Sequence, residues 1–332
     1  MIPTTIFAMQ AYSEKYKSEI KVEYEDSKLS KGMEVFLNQN MYFNRLTNFL
    51  IAQKEKPKKA VDLMCASGIL SIALQKDLGI KTIANDLNPR ALRSVEKNAR
   101  LNDVKITTTR HSADEYPLKT EDFFIIDLFG SPAKTIEHVI KNCKLNSIIC
   151  STATDIAVLG GKYPQKSLSM YGSEIKLNGF ADEMRVRSLL GFCERVAKEN
   201  KKSIIPLFCY TENHYAKISI KVVEKNNKQN LGFTYYDPKI GEGFISIKKI
   251  PKTELLESGP IWISNIKNEI LEGIKEFNFF PIRNKCYINI KKFYQYRKLQ
   301  LPKKVAMQKY GKFSDFNYTL FCTKNEFEKI KN

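Results

Sequence analysis

The chain has 332 residues, 43% of them hydrophobic and 27% charged, the balance of a globular protein with sequence for roughly two domains. Lys and Arg number 54 against 36 Asp and Glu, and the net charge of +18 points to a polyanionic partner, nucleic acid or a membrane surface. Aromatic residues interleave with lysines in the last third, which favours nucleic acid. The seven cysteines form no C-x-x-C pair, so neither a disulfide framework nor a cysteine zinc site is indicated, and they fit reduced thiols in a cytoplasmic protein. No cationic stretch precedes an apolar core at the start, and no apolar run approaches spanning length, so neither a leader nor a membrane span is expected.

In chain order, residues 1–34 are charged and alternate in places like an antiparallel hairpin. Asn40 to Leu50 has helical spacing, and its Arg45 is a candidate to meet a ligand carboxylate through paired N–H groups, although a surface arginine is the commoner case. Ala60 to Met64 reads as a short buried strand. Cys65-Ala66-Ser67-Gly68 makes a small-residue turn, Ile69 to Lys76 a helix ended by Gly79, and Ile80 to Ala84 a second strand closing on Asn85-Asp86. This is the layout of a nucleotide-binding unit, in which the terminal acid takes a ribose hydroxyl pair.

The turn does not fit the dinucleotide pattern G-x-G-x-x-G, because Gly68 stands alone and Asp62 just upstream would repel a phosphate. A dehydrogenase is thereby disfavoured. An acid beside a small-residue turn suits a ligand with an ammonium group and no phosphate, such as S-adenosyl-L-methionine. A strand–helix–strand unit with a solvated acid is the plainer alternative.

Pro89 to Leu101 is a helix with proline in its first turn, and Lys105 to Thr109 is a β-branched strand. The loop after it brings Ser112 and Ala113 to the carboxyl edge of the sheet, where an adenine would lie. Phe123 to Asp127 is a fully apolar strand ending in an acid, followed by Leu128-Phe129-Gly130-Ser131-Pro132. Asp127 can accept a hydrogen bond from an exocyclic amine, and Phe129 offers a ring for a base to stack on.

Farther along, Ser147 to Cys150 reads as a strand, 160–164 as a flexible loop, and Gly179 to Glu199 as a long amphipathic helix whose Arg185 and Arg187 are solvated or ion-paired. Two antiparallel strands follow at 203–210 and 215–223, then a polar linker at 224–230. Beyond it, 233–250 is strand-rich and Trp262 belongs to a core. The segment from Lys291 to Lys312 mixes lysine with tyrosine and phenylalanine, a composition suited to RNA backbone. A helix at 303–309 and strands near 318–322 complete the reading.

Several segments together resemble the tRNA guanine-26 N2-dimethyltransferase family of archaea and eukaryotes. They are Val35-Phe36-Leu37-Asn38 with Asn44-Arg45; Asp62 to Ile69 with Asn85-Asp86; Asp127 to Pro132; and Thr152-Ala153-Thr154-Asp155. Tyr171-Gly172, Asn213-His214-Tyr215, Leu231-Gly232-Phe233 and Gly259-Pro260-Ile261-Trp262 follow in the family's order. The resemblance implies an α/β fold: a doubly wound class I methyltransferase (Rossmann-like) sheet with a smaller α+β C-terminal domain. The methyltransferase domain would cover 1–223, with an N-terminal extension over 1–50, and a tRNA-binding domain 231–332.

The implied activity is transfer of one and then a second methyl group from S-adenosyl-L-methionine to N2 of guanosine 26 in tRNA. Cofactor-binding positions would be Arg45, Asp62, Ser67, Gly68, Asp86, Leu87, Ser112 and Ala113. Asp127 would be the acid beside the target amine, with Phe36 and Phe129 the aromatics near the base. The expected partner is tRNA, with no membrane and no metal, and the chain is expected to be a monomer. The chain departs from the family at Gln39, Leu46, Leu70, Ser112 and Leu128, where the family has proline, acid, arginine, acid and proline. Those losses of polar contacts keep a second reading open, a tRNA-binding member with impaired catalysis.

Overall fold

The computed structural model describes residues 9–25, 37–212, 214–239, 242–251, 253–264, 266, 280–281 and 287–288. They form two compact units, the first running to Ser151 and the second beginning at Thr152.

The first unit opens with the expected hairpin, β1 (Met9–Lys15) and β2 (Glu19–Glu25), paired antiparallel from Met9↔Glu25 to Lys15↔Glu19. Ile20, Val22 and Tyr24 alternate into the core, as the period of a strand requires. Helix α1 spans Tyr42–Glu55. There follow β3 (Lys59–Asp62), α2 (Ile69–Leu78), β4 (Lys81–Asn85), α3 (Pro89–Leu101) and β5 (Thr107–Thr109). Then come β6 (Phe123–Asp127), α4 (Ala133–Asn142) and β7 (Ile148–Ala153).

These strands lie in the order β7-β6-β3-β4-β5, and β3 pairs in parallel with both β4 and β6. The chain moves outward from β3 to β5, then returns to the other side of β3 with β6. That reversal is a topological switch point, and ligands of such sheets bind outside the carboxyl ends of the strands there. Phe123 to Ile126 are buried on both faces of β6, which explains why that strand reads as an unbroken apolar run.

The hairpin is held by side chains rather than by the sheet. Asn98 on α3 and Asn102 capping its C-terminus, one turn apart, each present a carboxamide to β2 as if it were a strand backbone. Asn98 accepts from Glu23 N–H at 2.8 Å, and Asn102 accepts from Lys21 N–H at 3.0 Å while donating to Lys21 C=O at 2.6 Å. The edge of β2 is thereby covered.

The second unit contains α5 (Ile156–Leu159), α6 (Pro164–Tyr171), α7 (Ala181–Glu199), β8 (Lys202–Glu212) and β9 (Tyr215–Glu224). It continues with β10 (Leu231–Asp237), β11 (Glu242–Ser246), β12 (Leu256–Trp262), β13 (Phe280–Pro281) and β14 (Tyr287–Ile288). β8 and β9 form an antiparallel pair, and a separate four-stranded sheet runs β12-β10-β11-β14.

Two helices lie outside the sequence reading. Residues 160–163 are turns and bends, as a loop requires, but Pro164 starts α6, which Gly172 ends at φ +61°. Helix α4, with Ile136, Val139 and Ile140 on its buried side, went unpredicted. The polar stretch 224–230 separates β9 from β10 within the second unit. Helix α7 grips β12: Arg187 donates to the carbonyls of Trp262 at 2.9 Å and Ser264 at 3.2 Å and pairs with Glu183. A Cβ at Gly191 would lie 2.9 Å from Ile261 Cα, so the approach needs glycine. Trp262 is buried, as expected.

Candidate active site at the strand ends

The turn after β3 is built so that backbone, not side chain, faces the switch point. Ala66 (φ +46°) and Gly68 (φ +77°) both take the left-handed conformation. Gly68 N–H closes on Cys65 C=O at 2.7 Å, and a Cβ at 68 would stand 2.8 Å from Val95 of α3. Both the conformation and the space therefore demand glycine. Ser67 is buried, and its carbonyl accepts from Asn98 at 2.9 Å, so α3 pins this turn as well as the hairpin.

Three acids gather at the carboxyl ends of adjacent strands. Asp86, just beyond β4, accepts from Ala66 N–H at 3.1 Å and from Asn88 N–H at 2.9 Å, one bond per oxygen. Burial raises its pKa, and those two backbone donors oppose the rise. Asp62 ends β3, is buried, and accepts from Ser71 Oγ at 3.0 Å. Burial pushes its carboxyl up to about 7, Ser71 pulls against that, and the charges of Asp127 and Asp86 add to the rise. Asp127, half-buried at the end of β6, accepts from Asn44 Nδ2 at 2.9 Å. The acids on both sides of the switch point therefore act on one buried carboxyl.

That carboxyl has a measurable consequence. In the unfolded chain Asp62 ionises near its ordinary value of 3.8, whereas the folded protein holds the proton to about 7. The favourable term is complete below pH 4 and is lost as the pH rises to about 7, at most about 4 kcal/mol at 1.36 kcal/mol per unit. Asp62→Asn, which keeps an acceptor for Ser71, is expected to match the parent at pH 4 and exceed its stability at pH 8. Urea unfolding at the two pH values measures the difference; an unchanged gap between the proteins would refute the assignment.

Other candidates are distributed around this edge. Leu87 (61% exposed) follows Asp86, Phe129 (43% exposed) follows Asp127, and Ser112 and Ala113 are half-buried beyond β5. Phe36 lies outside the described residues, as do Asn213 and the Lys291 to Lys312 segment. Leu46 and Leu70, two of the family departures, are buried in packing positions. Thr152 to Asp155 and Tyr171, far apart in sequence, meet within the second unit: Tyr171 Oη donates to both Asp155 oxygens, at 3.0 and 2.8 Å.

Arg45 is where the sequence reading needs amending. Its guanidinium already holds an internal carboxylate: Nε donates to Glu14 at 3.0 and 3.1 Å, and Nη2 bonds Glu14 and the Asn38 carbonyl. Burial alone would lower its pKa, but the bonds and charge of Glu14 raise it further. Tyr12 and Tyr16 also donate to Glu14, at 3.2 and 2.6 Å. The Tyr12 hydroxyl also faces this guanidinium.

Two asparagines carry more than the sequence reading assigned them. Asn85, fully buried at the end of β4, donates to Leu63 and His111 carbonyls at 3.0 Å and accepts from Thr109 and His111. It ties the ends of β3, β4 and the loop after β5 into one edge. Asn44 reaches Asp127. A buried polar residue beside a candidate acid is the signal that marks each, and burial is not legible in a single sequence.

The family described as "N2,N2-dimethylguanosine tRNA methyltransferase" matches residues 17–295. The chain belongs to that family. Among its relatives is the tRNA (guanine(26)-N(2))-dimethyltransferase of Pyrobaculum calidifontis. It is 31% identical over 267 residues, 76% of this chain and 72% of the relative. The enzyme of the same name from Methanosarcina barkeri is 27% identical over 76% of this chain and 72% of its own length. The solved structure of Trm1 from Pyrococcus horikoshii, in complex with S-adenosyl-L-methionine, superposes with a TM-score of 0.74. It is 21% identical and covers 85% of this chain and 87% of that one. The chain thus has the expected fold, a Rossmann-like class I methyltransferase sheet with a smaller C-terminal domain. Among the described residues no helix is long and apolar enough to cross a membrane, and no group of three or more His, Cys, Asp or Glu could hold a metal.

Proposed function

We propose that this chain transfers methyl groups from S-adenosyl-L-methionine to N2 of guanosine 26 in tRNA, one and then a second, with the strand-end edge of the first unit as the reaction site. The observation that carries the reading is the convergence of Asp86 and Asp127 on Asp62 at the switch point, in a chain of this family. The residues fit the cofactor. Each Asp86 oxygen accepts one backbone N–H and keeps lone pairs for a ribose hydroxyl. The turn at Gly68 lets backbone approach closely, and Asp62 ionises at a cost that a nearby ammonium group offsets. Arg45, held at Nε and Nη2 by Glu14 and the Asn38 carbonyl, is the residue we assign to the cofactor carboxylate. Leu87 with Ser112 and Ala113 would flank the adenine, and Ser67 and Gly68 would line the methionine arm.

S-adenosyl-L-methionine supplies the methyl group on an electrophilic sulfonium. The work of this chain is placement. The guanine amine is a poor nucleophile because its lone pair is delocalised into the ring. Asp127 would accept a hydrogen bond from one N–H, turning the nitrogen toward tetrahedral geometry, and would take that proton as the new C–N bond forms. One N–H remains after the first transfer, so the same carboxylate can serve the second. A base at position 26 must leave its stack, at a cost of a few kcal/mol. The exposed ring of Phe129, with Phe36, is proposed to receive it. The net charge of +18 would hold the tRNA backbone.

The test is to incubate the protein with labelled S-adenosyl-L-methionine and a tRNA carrying G26, then digest and separate the nucleosides. Label is expected in N2-methylguanosine and then in N2,N2-dimethylguanosine, and is expected to vanish when position 26 is adenosine. Label in no guanosine, or label indifferent to that replacement, would overturn the reading. Retention of tRNA with no transfer would support the non-catalytic alternative.

A further inference from the structure

We propose that Asn44 is a positioning residue for methyl transfer, setting the orientation of the Asp127 carboxylate. The inference rests on the role given to Asp127 above. Asn44 is fully buried in the first turn of α1, and its Nδ2 donates to Asp127 Oδ2 at 2.9 Å. Among the described residues Oδ1 of Asp127 accepts no hydrogen bond. One oxygen is thus tied inward, while the other is left to face an amine. A carboxamide N–H can only donate, so the bond fixes the plane of the two carboxylate oxygens.

Asn44 is itself braced. The next residue, Arg45, is clamped by Glu14 and by the carbonyl of Asn38, which holds the start of α1 against the hairpin. Thr47 Oγ1 donates to the Asn44 carbonyl at 2.8 Å, fixing the same turn. A group held from both sides can impose its geometry on Asp127, which stands at the exposed end of its strand. The other charged groups facing Asp127 are Arg45 from α1, backed by Glu14, and Asp62 from β3.

Three variants test this. Asp127→Ala comes first: unchanged turnover there removes the underlying reading, and Asn44 with it. Given that loss, Asn44→Ala is expected to lower kcat about 10–100-fold, the effect of losing one hydrogen bond to a charged group. The Kd for S-adenosyl-L-methionine and the KM for tRNA should stay within about threefold, the bond being made to the reacting carboxylate alone. A purely structural asparagine would lower Tm and leave kcat of the folded enzyme unchanged, and that result overturns the proposal.

Asn44→Asp covers the case in which the alanine variant does not fold, since it keeps the volume. Two carboxyls at this distance share one proton. The protonated one can donate as Asn44 does, so this variant is expected to work best at low pH and to lose activity as the pH rises. Arg45, Glu14 and Asp62 are common to both proteins, so the difference between their pH–rate profiles belongs to position 44. Parallel profiles for Asn44→Asp and the parent would overturn the assignment.

Discussion

Asp127→Ala is expected to abolish methyl transfer, lowering kcat by roughly 10²–10⁴-fold, the range for a positioned proton-accepting group, while tRNA binding survives. The loss should fall on chemistry because Asp127 contributes little to the strand that carries it. Phe123 to Ile126, buried below it, hold β6 in the sheet, and the carboxylate stands half-exposed at the strand's end. Asp127→Asn keeps an oxygen able to accept from the amine and the shape of the site, but cannot take the proton. It should fall between the parent and the alanine variant. Single-turnover transfer to a G26 tRNA, with tRNA binding measured by filter retention, separates the two effects. Parental turnover in Asp127→Ala would remove this residue from the mechanism and move the reaction centre elsewhere.

The largest expected effect on stability lies at Glu14. Its carboxylate is almost completely buried against Arg45, whose side chain is itself 10% exposed. Removing one partner of such a pair leaves a charge in a poorly solvated place, which costs about 3–5 kcal/mol. For a unit of this size, about 2–4 °C accompanies each kcal/mol, so Glu14→Ala should lower the melting temperature by roughly 6–20 °C. The Tyr12 and Tyr16 hydroxyls lose their acceptor in the same substitution. Glu14→Gln retains an acceptor oxygen without the charge and should lose less. Replacing Glu14 and Arg45 together with leucine and methionine should recover much of the deficit, because no charge is then stranded. A melting temperature within about 2 °C of the parent for Glu14→Ala would assign the pair the small value of a solvated surface bridge.

The hairpin that carries Glu14 is therefore more than a cover for the sheet. It is fastened to α3 by Asn98 and Asn102 and to the end of α2 by Asp77, which accepts from Ser18 N–H at 2.8 Å. Through Glu14 it also reaches α1, and so the residues beside Asp127. Residues before β3 thus bear on the strand-end edge, in keeping with the placement of Arg45 and Asn44 ahead of that strand.

Much of the site could be read without coordinates because its pieces are local. Strand, small-residue turn, helix and acid follow one another between Ala60 and Asp86, and each is a short-range consequence of apolar spacing, glycine placement and strand ends. A parallel sheet then brings the carboxyl ends of its strands together whatever their spacing along the chain, which is why Asp86 and Asp127 could be grouped in advance. Tertiary structure alone decided the partnerships. Arg45 chose Glu14, 31 residues away, and Asn44 chose Asp127, 83 residues away. α7 drew β12 across what had read as a linker. Those choices depend on which side chains packing buries and leaves in need of a partner, and desolvation is a property of the folded chain with no period or spacing to announce it.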